Sequence, residues 1–272
     1  MCNALKERNG KEQMKCLRVI VLLLLAVAAT HGQPVANIKG IKILSSTFDP
    51  STRTAKLVFV NDSAKNITAW GYCVRVQNSA PGLSSHSFCT LIDPLITVIE
   101  EKIEMTKRPY LHEADCSVCR FVHPGEEKLL SSDFSAVPEV IGAEIEINLI
   151  AYGDGTAEAL SNREGQQTLD DLTRRRQGAL EVTQRVISIA QSILADSSNH
   201  HPAAAMIVEL KTGSTGDAGL AGALDDFKKP ERRRGNNREF IPDNEREYVE
   251  RYLAEQRIWS AELIKNQIRG GR

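Results

Sequence analysis

The chain has 272 residues, 34 Lys and Arg against 35 Asp and Glu, a formal net charge of −1, and 42% apolar side chains. This is ordinary globular composition with room for one or two domains. The near-neutral charge argues against a dedicated nucleic-acid binder.

Lys15 and Arg18 precede the apolar run VIVLLLLAVAA at 19–29, and small residues follow it. A basic flank, a short apolar core and small residues predict a secretory signal peptide over 1–32. The run is shorter than the roughly 20 residues of a comfortable membrane span. Met14 would give a signal of more usual length than Met1, and cleavage is expected after Ala28, Ala29 or Gly32. Once the signal is removed, no integral span is expected. The expected location is exported, either periplasmic or secreted.

Cys2 and Cys16 leave with the signal, so Cys73, Cys89, Cys116 and Cys119 remain. An even number of cysteines in an exported chain reads as disulfides.

The pattern from 33 to 153 is strand-like. Strands are predicted at 38–47, 55–60, 67–77, 86–92 and 95–105, with a short one at 118–122, pairing at 128–130 and a last strand at 140–152. Turn residues such as Asp49-Pro50-Ser51, Asn61-Asp62-Ser63 and Pro81-Gly82 separate them. In the last strand Ile141, Ala143, Ile145, Ile147, Leu149 and Ala151 alternate with polar or small residues, which predicts one apolar and one wet face. Gly153-Asp154-Gly155 should end this strand and lead into a helical tail. About seven short strands with turns between them predict an immunoglobulin-like β-sandwich.

If the hairpin is centred near Pro81, Cys73 and Cys89 lie directly opposite one another. Cross-strand Cβ atoms sit about 4.5–5.5 Å apart, within adjustment range of a disulfide. Such a bridge would stabilise by roughly 3 kcal/mol on the loop-closure model. The alternative pairs each of these cysteines with Cys116 or Cys119, since four cysteines allow three connectivities.

Beyond 154 the period becomes helical. Leu169, Leu172, Ala179, Val182, Val186, Ile189 and Ile193 make one apolar stripe within a helix over 169–196, with Arg174-Arg175-Arg176 opposite it or at its edge. A short helix is expected at 203–210, closing a helical region over 154–211. Gly213, Gly216, Gly219 and Gly222 recur without the proline of collagen or the Gly-Lys-Ser/Thr ending of a phosphate loop. They predict a flexible linker over 212–241 that includes the basic run from Lys228 to Arg234. Such a run could dock an anionic envelope polymer or lipid headgroups, and a solvated linker is the reading preferred here. Val249, Tyr252, Leu253, Trp259, Leu263 and Ile264 share a face of a final amphipathic helix within 242–272. The two long helices should pair as a hairpin or meet a partner.

The segment TAKLVFVNDSAKNITAWGYCVRV, the strand running into DGTAEA and the helix bearing Arg174-Arg175-Arg176 together resemble uncharacterised exported bacterial proteins of acidobacterial type. The resemblance covers about 41–193. It implies an immunoglobulin-like domain followed by helices, and it implies no activity.

The sharpest chemical cluster is His112-x3-Cys116-x2-Cys119-x3-His123, a spacing that can ligate zinc. In an oxidising compartment the same residues read as disulfide cysteines with two bystander histidines. A redox-active Cys-x-x-Cys usually sits at a helix N-terminus, whereas these surroundings read as loop and strand. Haem attachment would need His directly after Cys119, where Arg120 stands. No nucleophile elbow and no His-Glu-x-x-His occurs. The expectation is a non-enzymatic binding or structural protein without a cofactor or metal, meeting a protein or envelope partner. The alternatives are chemistry at the His112–His123 loop and self-association through the C-terminal helices. Asn61-Asp62-Ser63 and Asn66-Ile67-Thr68 also match the glycosylation sequon, which in a eukaryotic host would mark exposed turns.

Overall fold

The structure, a computed structural model, describes residues 38–79, 86–107, 120–137, 139–232 and 244–269. The expected signal segment, His112, Cys116, Cys119 and the loop around Pro81 lie outside the described residues.

Among the described residues, seven strands form two antiparallel sheets. One has the order β1 (Ile41–Asp49), β2 (Thr54–Asn61), β5 (Glu127–Asp133). The other has the order β4 (His86–Ile92), β3 (Ile67–Asn78), β6 (Val140–Tyr152), β7 (Ala157–Ala159). Side chains from both sheets meet in one core, with Ile41, Leu57, Phe59 and Leu130 facing Trp70, Val74, Ile145 and Ile150. Trp70 is fully buried, and the Lys128 ammonium lies 4.9 Å from its ring centroid. Burial lowers the Lys128 pKa, because the core disfavours its charged form.

The turns follow from short polar side chains that fold back on the backbone. Asp49 Oδ1 accepts from the Ser51 N–H at 2.8 Å and the Ser51 hydroxyl at 2.6 Å. Asp133 with Ser135 and Asp196 with Ser198 repeat the device. These bonds favour the ionised carboxylate. The Ser51 hydroxyl first, then the Ser51 N–H, hold Asp49 down at about 2. Asp133 and Asp196 are lowered in the same way. A depressed carboxylate contributes stability above its unfolded pKa and loses it as pH falls through its folded one. The melting temperature should therefore fall between about pH 4 and pH 2, and Asp49→Asn should flatten that slope. An identical pH profile in the variant would refute the assignment.

Several expectations are corrected. The strand expected at 95–105 is a helix, α1 (Leu95–Lys107). Asp93 Oδ1 accepts from the Leu95 N–H at 3.2 Å, and Pro94 follows it, which is helix-start chemistry. Leu95, Ile99 and Ile103, four residues apart, are buried.

In β6 the regular alternation breaks twice. Gln77 pairs with Gly142 but Asn78 with Val140, and Gly71 pairs with Leu149 but Tyr72 with Ile147. Ile141 and Asn148 are thus extra residues, and a bulge shifts the side-chain phase by one. Ile141 points to solvent at 58% exposure. Past Asn148 the core takes Ile150 and Tyr152, while Leu149 and Ala151 face the other way. The turn at 153–155 leads first into β7 and only then into a helix.

The expected linker contains a helix, α4 (Ala218–Arg232), in which Leu220 and Phe227 are fully buried. Asp217 Oδ1 accepts from the N–H groups of Gly219 and Leu220 and starts it. Gly219 is there for contact rather than flexibility, since a Cβ would lie 2.3 Å from Val182 Cγ2. Finally, Arg176 is 3% exposed and does not share the wet face of Arg174 and Arg175.

The other helices are α2 (Arg163–Ala195), α3 (Pro202–Gly213) and α5 (Glu245–Lys265). Asn162 caps α2 by accepting from the Gly165 N–H at 2.8 Å. Asn244 accepts from the Glu247 N–H, and Glu247 answers by accepting from the Asn244 amide, a reciprocal cap for α5. The first half of α2 covers the β3–β6–β7 face through Leu169 and Leu172 against Ala69, Leu149, Ala151 and Ala157. Its second half packs with α3, α4 and α5 around Val186, Met206, Phe227 and Val249. Arg246 on α5 donates to Leu194 O near the end of α2, and Arg176 on α2 donates to Asn266 O just past α5. The two long helices are therefore antiparallel and packed on each other, and α2 also packs on the sheet. Glu245 ties α3 to α5, its carboxylate accepting from the N–H groups of Ala203 and Ala204 and lying 3.0 Å from His201 Nδ1. Among the described residues no helix is long and apolar enough to cross a membrane.

Candidate functional site

One turn of helix sets up the site. Along α2, Gly165, Leu169, Leu172 and Arg176 face the sheet. The neighbouring stripe at Glu164, Gln167, Thr168, Asp171 and Arg175 leans over β4. Opposite it, β4 presents Ser87, Cys89, Thr90 and Leu91. Between them lies a cleft of about 380 Å³. Its walls are mostly hydroxyl, amide and charged groups. Asp171 pairs with Arg174 at 3.0 Å, and Arg175 is exposed.

Among the described residues β4 is an edge strand, hydrogen-bonded only to β3. Cys73 and Cys89 are directly opposite in that pair, their Cα atoms 4.0 Å apart, and are joined as a disulfide. Of the pairings open to the sequence, this is the cross-strand one. Cys73 is 3% exposed, whereas Cys89 is exposed and lines the cleft.

The extra residue of β6 supports this floor. Asn148, 1% exposed, donates from Nδ2 to Cys73 Sγ at 3.1 Å and to the Thr168 hydroxyl at 2.9 Å. Thr168 in turn donates to Glu164 O at 2.7 Å. Gly71 makes room for this chain, because a Cβ there would lie 2.5 Å from both Asn148 Oδ1 and Thr168 Cγ2. Beside it on the same sheet face, Arg75 and Glu146 pair at 2.6 Å.

Arg176 fixes α2 against β4 and everything behind it. Its guanidinium meets both Asp93 oxygens, Nε at 3.0 Å and Nη2 at 2.9 Å, in the two-pronged geometry that suits a carboxylate. Nη1 donates to Asn266 O at 2.7 Å, and Nη2 reaches Thr68 O and Oγ1 at 3.3 Å. One buried cation thus joins β3, the β4–α1 turn, α2 and the segment after α5. Asp93 also starts α1, so the same carboxylate positions a second helix.

Of the residues singled out for zinc or redox chemistry, only His123 lies within the described residues. It is exposed, with Nδ1 3.1 Å from Asn66 Oδ1. Among the described residues no group of three or more His, Cys, Asp or Glu could hold a metal ion. Asn61 is not an exposed sequon. It is fully buried and donates to Lys65 O and Val122 O, both at 2.8 Å, whereas Asn66 is exposed. Sequence reasoning missed the cleft itself. The available signal was the three- and four-residue spacing of Glu164, Gln167, Asp171 and Arg175, a polar stripe beside an apolar one.

No protein-family model, curated protein or solved structure matches the chain.

Proposed function

We propose that the chain is an exported, non-enzymatic binding protein whose β4–α2 cleft takes a polar ligand at the cell envelope. The observation that carries this reading is the cleft. Its volume lies within the range of small-ligand sites, and its walls offer donors and acceptors held on a strand and a helix. The Cys73–Cys89 disulfide is consistent with an oxidising compartment, periplasmic or extracellular, as expected of a chain with a signal segment.

The scaffold under the site reads as immunoglobulin-like. The support is the strand order β1-β2-β5 against β4-β3-β6-β7, together with a buried Trp on β3. These correspond to an A-B-E sheet, a C′-C-F-G sheet and a core Trp on strand C. In this reading the disulfide staples C to C′ on the outer face instead of joining the sheets. The support for a kinship with exported acidobacterial-type proteins is the sequence resemblance over about 41–193.

Fold alone specifies no ligand, so the test is local. A photo-crosslinking side chain at Gln167, in chain secreted from its host, should give a discrete adduct. The double charge reversal Asp171→Lys, Arg175→Glu should abolish that adduct and leave the circular dichroism unchanged. Adduct formation indifferent to the reversal, or matched by a crosslinker at exposed Arg257 on α5, would refute the cleft as the binding site.

A further inference from the structure

The Cys73–Cys89 bridge is chemically asymmetric. One sulfur belongs to an exposed residue in a polar cleft on an edge strand, and the other belongs to a residue buried under α2 with an amide donor against it. Thiol–disulfide exchange needs both properties. The attacking thiolate must reach one sulfur along the bond axis, and the other sulfur must leave as a thiolate. Access exists at Cys89. At Cys73 the leaving charge would form 3.1 Å from Asn148 Nδ2, and a hydrogen bond to an ionised sulfur is stronger than one to a neutral one. Asn148 is held in that position by its second bond to Thr168.

We infer that this bridge is a directional thiol–disulfide exchange site, with Cys89 as the sulfur attacked and Cys73 as the leaving thiolate, and that its reaction partner is an external dithiol. In the first step a thiolate of the dithiol bonds to Cys89 Sγ as the Cys73–Cys89 bond breaks. The electron pair departs on Cys73 Sγ, which then takes a proton from solvent. In the second step the other thiol of the dithiol, as its thiolate, attacks the partner sulfur now bonded to Cys89. The partner leaves as a disulfide, and Cys89 leaves as a thiolate and is protonated. Two electrons pass from the dithiol to the bridge. The backbone ladder between β3 and β4, seven residue pairs long, remains to hold the edge strand when the bridge opens. The inference stands apart from the identity of any cleft ligand.

The test uses the unaltered, oxidised chain without denaturant. Glutathione is the monothiol probe, followed by acid quench, alkylation and peptide mass mapping, so that Cys116 and Cys119 are read separately. The expected result is a glutathione adduct on Cys89 with alkylated Cys73, at least about tenfold over the reverse isomer. Dithiothreitol should then open the bridge fully with the far-ultraviolet circular dichroism unchanged. An even or reversed distribution, or opening only at denaturant concentrations that unfold the chain, would overturn the inference. Asn148→Leu should slow opening about tenfold at fixed pH, and a folded N148L that exchanges at the parent rate would overturn the assigned donor. The adduct map is made on the parent chain and does not depend on that variant folding.

Discussion

Arg176→Met should lower the free energy of unfolding by about 3–5 kcal/mol, the range for breaking a buried ion pair from one side. The arginine side chain is 2% exposed and Asp93 is 11% exposed, so the methionine would leave a largely desolvated carboxylate without its cation. It would also leave Asn266 O and Thr68 without their donor. Arg176→Lys should rescue little, because an ammonium cannot meet both carboxylate oxygens and a carbonyl on the far side at once. Urea unfolding would measure this, with Trp70 reporting the sheets and Trp259 the helices. In the parent chain the two probes should report one transition. In the variant they should separate, because the cation is the main polar link between the layers. A loss under about 1 kcal/mol, with the probes still coincident, would show that the cation is not what couples them.

Phe227→Ala should cost about 3–5 kcal/mol by the cavity it leaves. The ring is fully buried and meets Tyr248 and Tyr252 edge-on, each at 5.0 Å between centroids. Tyr248 also donates its hydroxyl to Phe227 O, and Tyr252 donates to Ala223 O, so α4 and α5 share a polar seam around an aromatic one. Burial pushes the Tyr252 hydroxyl well above its ordinary pKa, as expected for a phenol held neutral in that seam. The loss should appear as reduced helicity and an earlier transition at both Trp259 and Trp70, because the Arg176 link between the layers is intact. A neutral outcome would mean that this segment contributes no more than the flexible linker its composition suggests.

That contrast shows where sequence reading works on this chain and where it stops. Local alternation located β2, β3, β4 and β6 to within a residue or so. The facing of Cys73 and Cys89 followed from counting outward from Pro81-Gly82. The strand expected at 95–105 failed because β-branched residues at Thr97 and Val98 mask a four-residue repeat at Leu95, Ile99 and Ile103, and because Asp93-Pro94 went unread as a helix start. The linker failed because small residues mean flexibility only when nothing packs on them. Gly219 is small because Val182 lies where its side chain would be. Arg176 reads with Arg174 and Arg175 as lying opposite the apolar stripe or at its edge, and only its partners, 83 and 90 residues away, make it a core residue. The cleft is a relation between β4 and α2 across about 75 residues, and the bulge at Asn148 that supports its floor is announced by no residue pattern. Its polar helical stripe was visible, but not what that stripe would face.

The long reach of Arg176 has a consequence in time. Asn266, whose carbonyl completes its coordination, is synthesised 90 residues after it. At about 5–20 residues per second that is an interval of roughly 5–20 s. Throughout it, strands β1 to β7 and the first turns of α2 are already available to fold around a guanidinium that still lacks one acceptor. A chain interrupted in that interval would carry an Arg176 paired with Asp93 but lacking the Asn266 carbonyl, and a face of α2 without α5. The layers made first therefore gain the last acceptor of their buried cation only when the segment after α5 has been made.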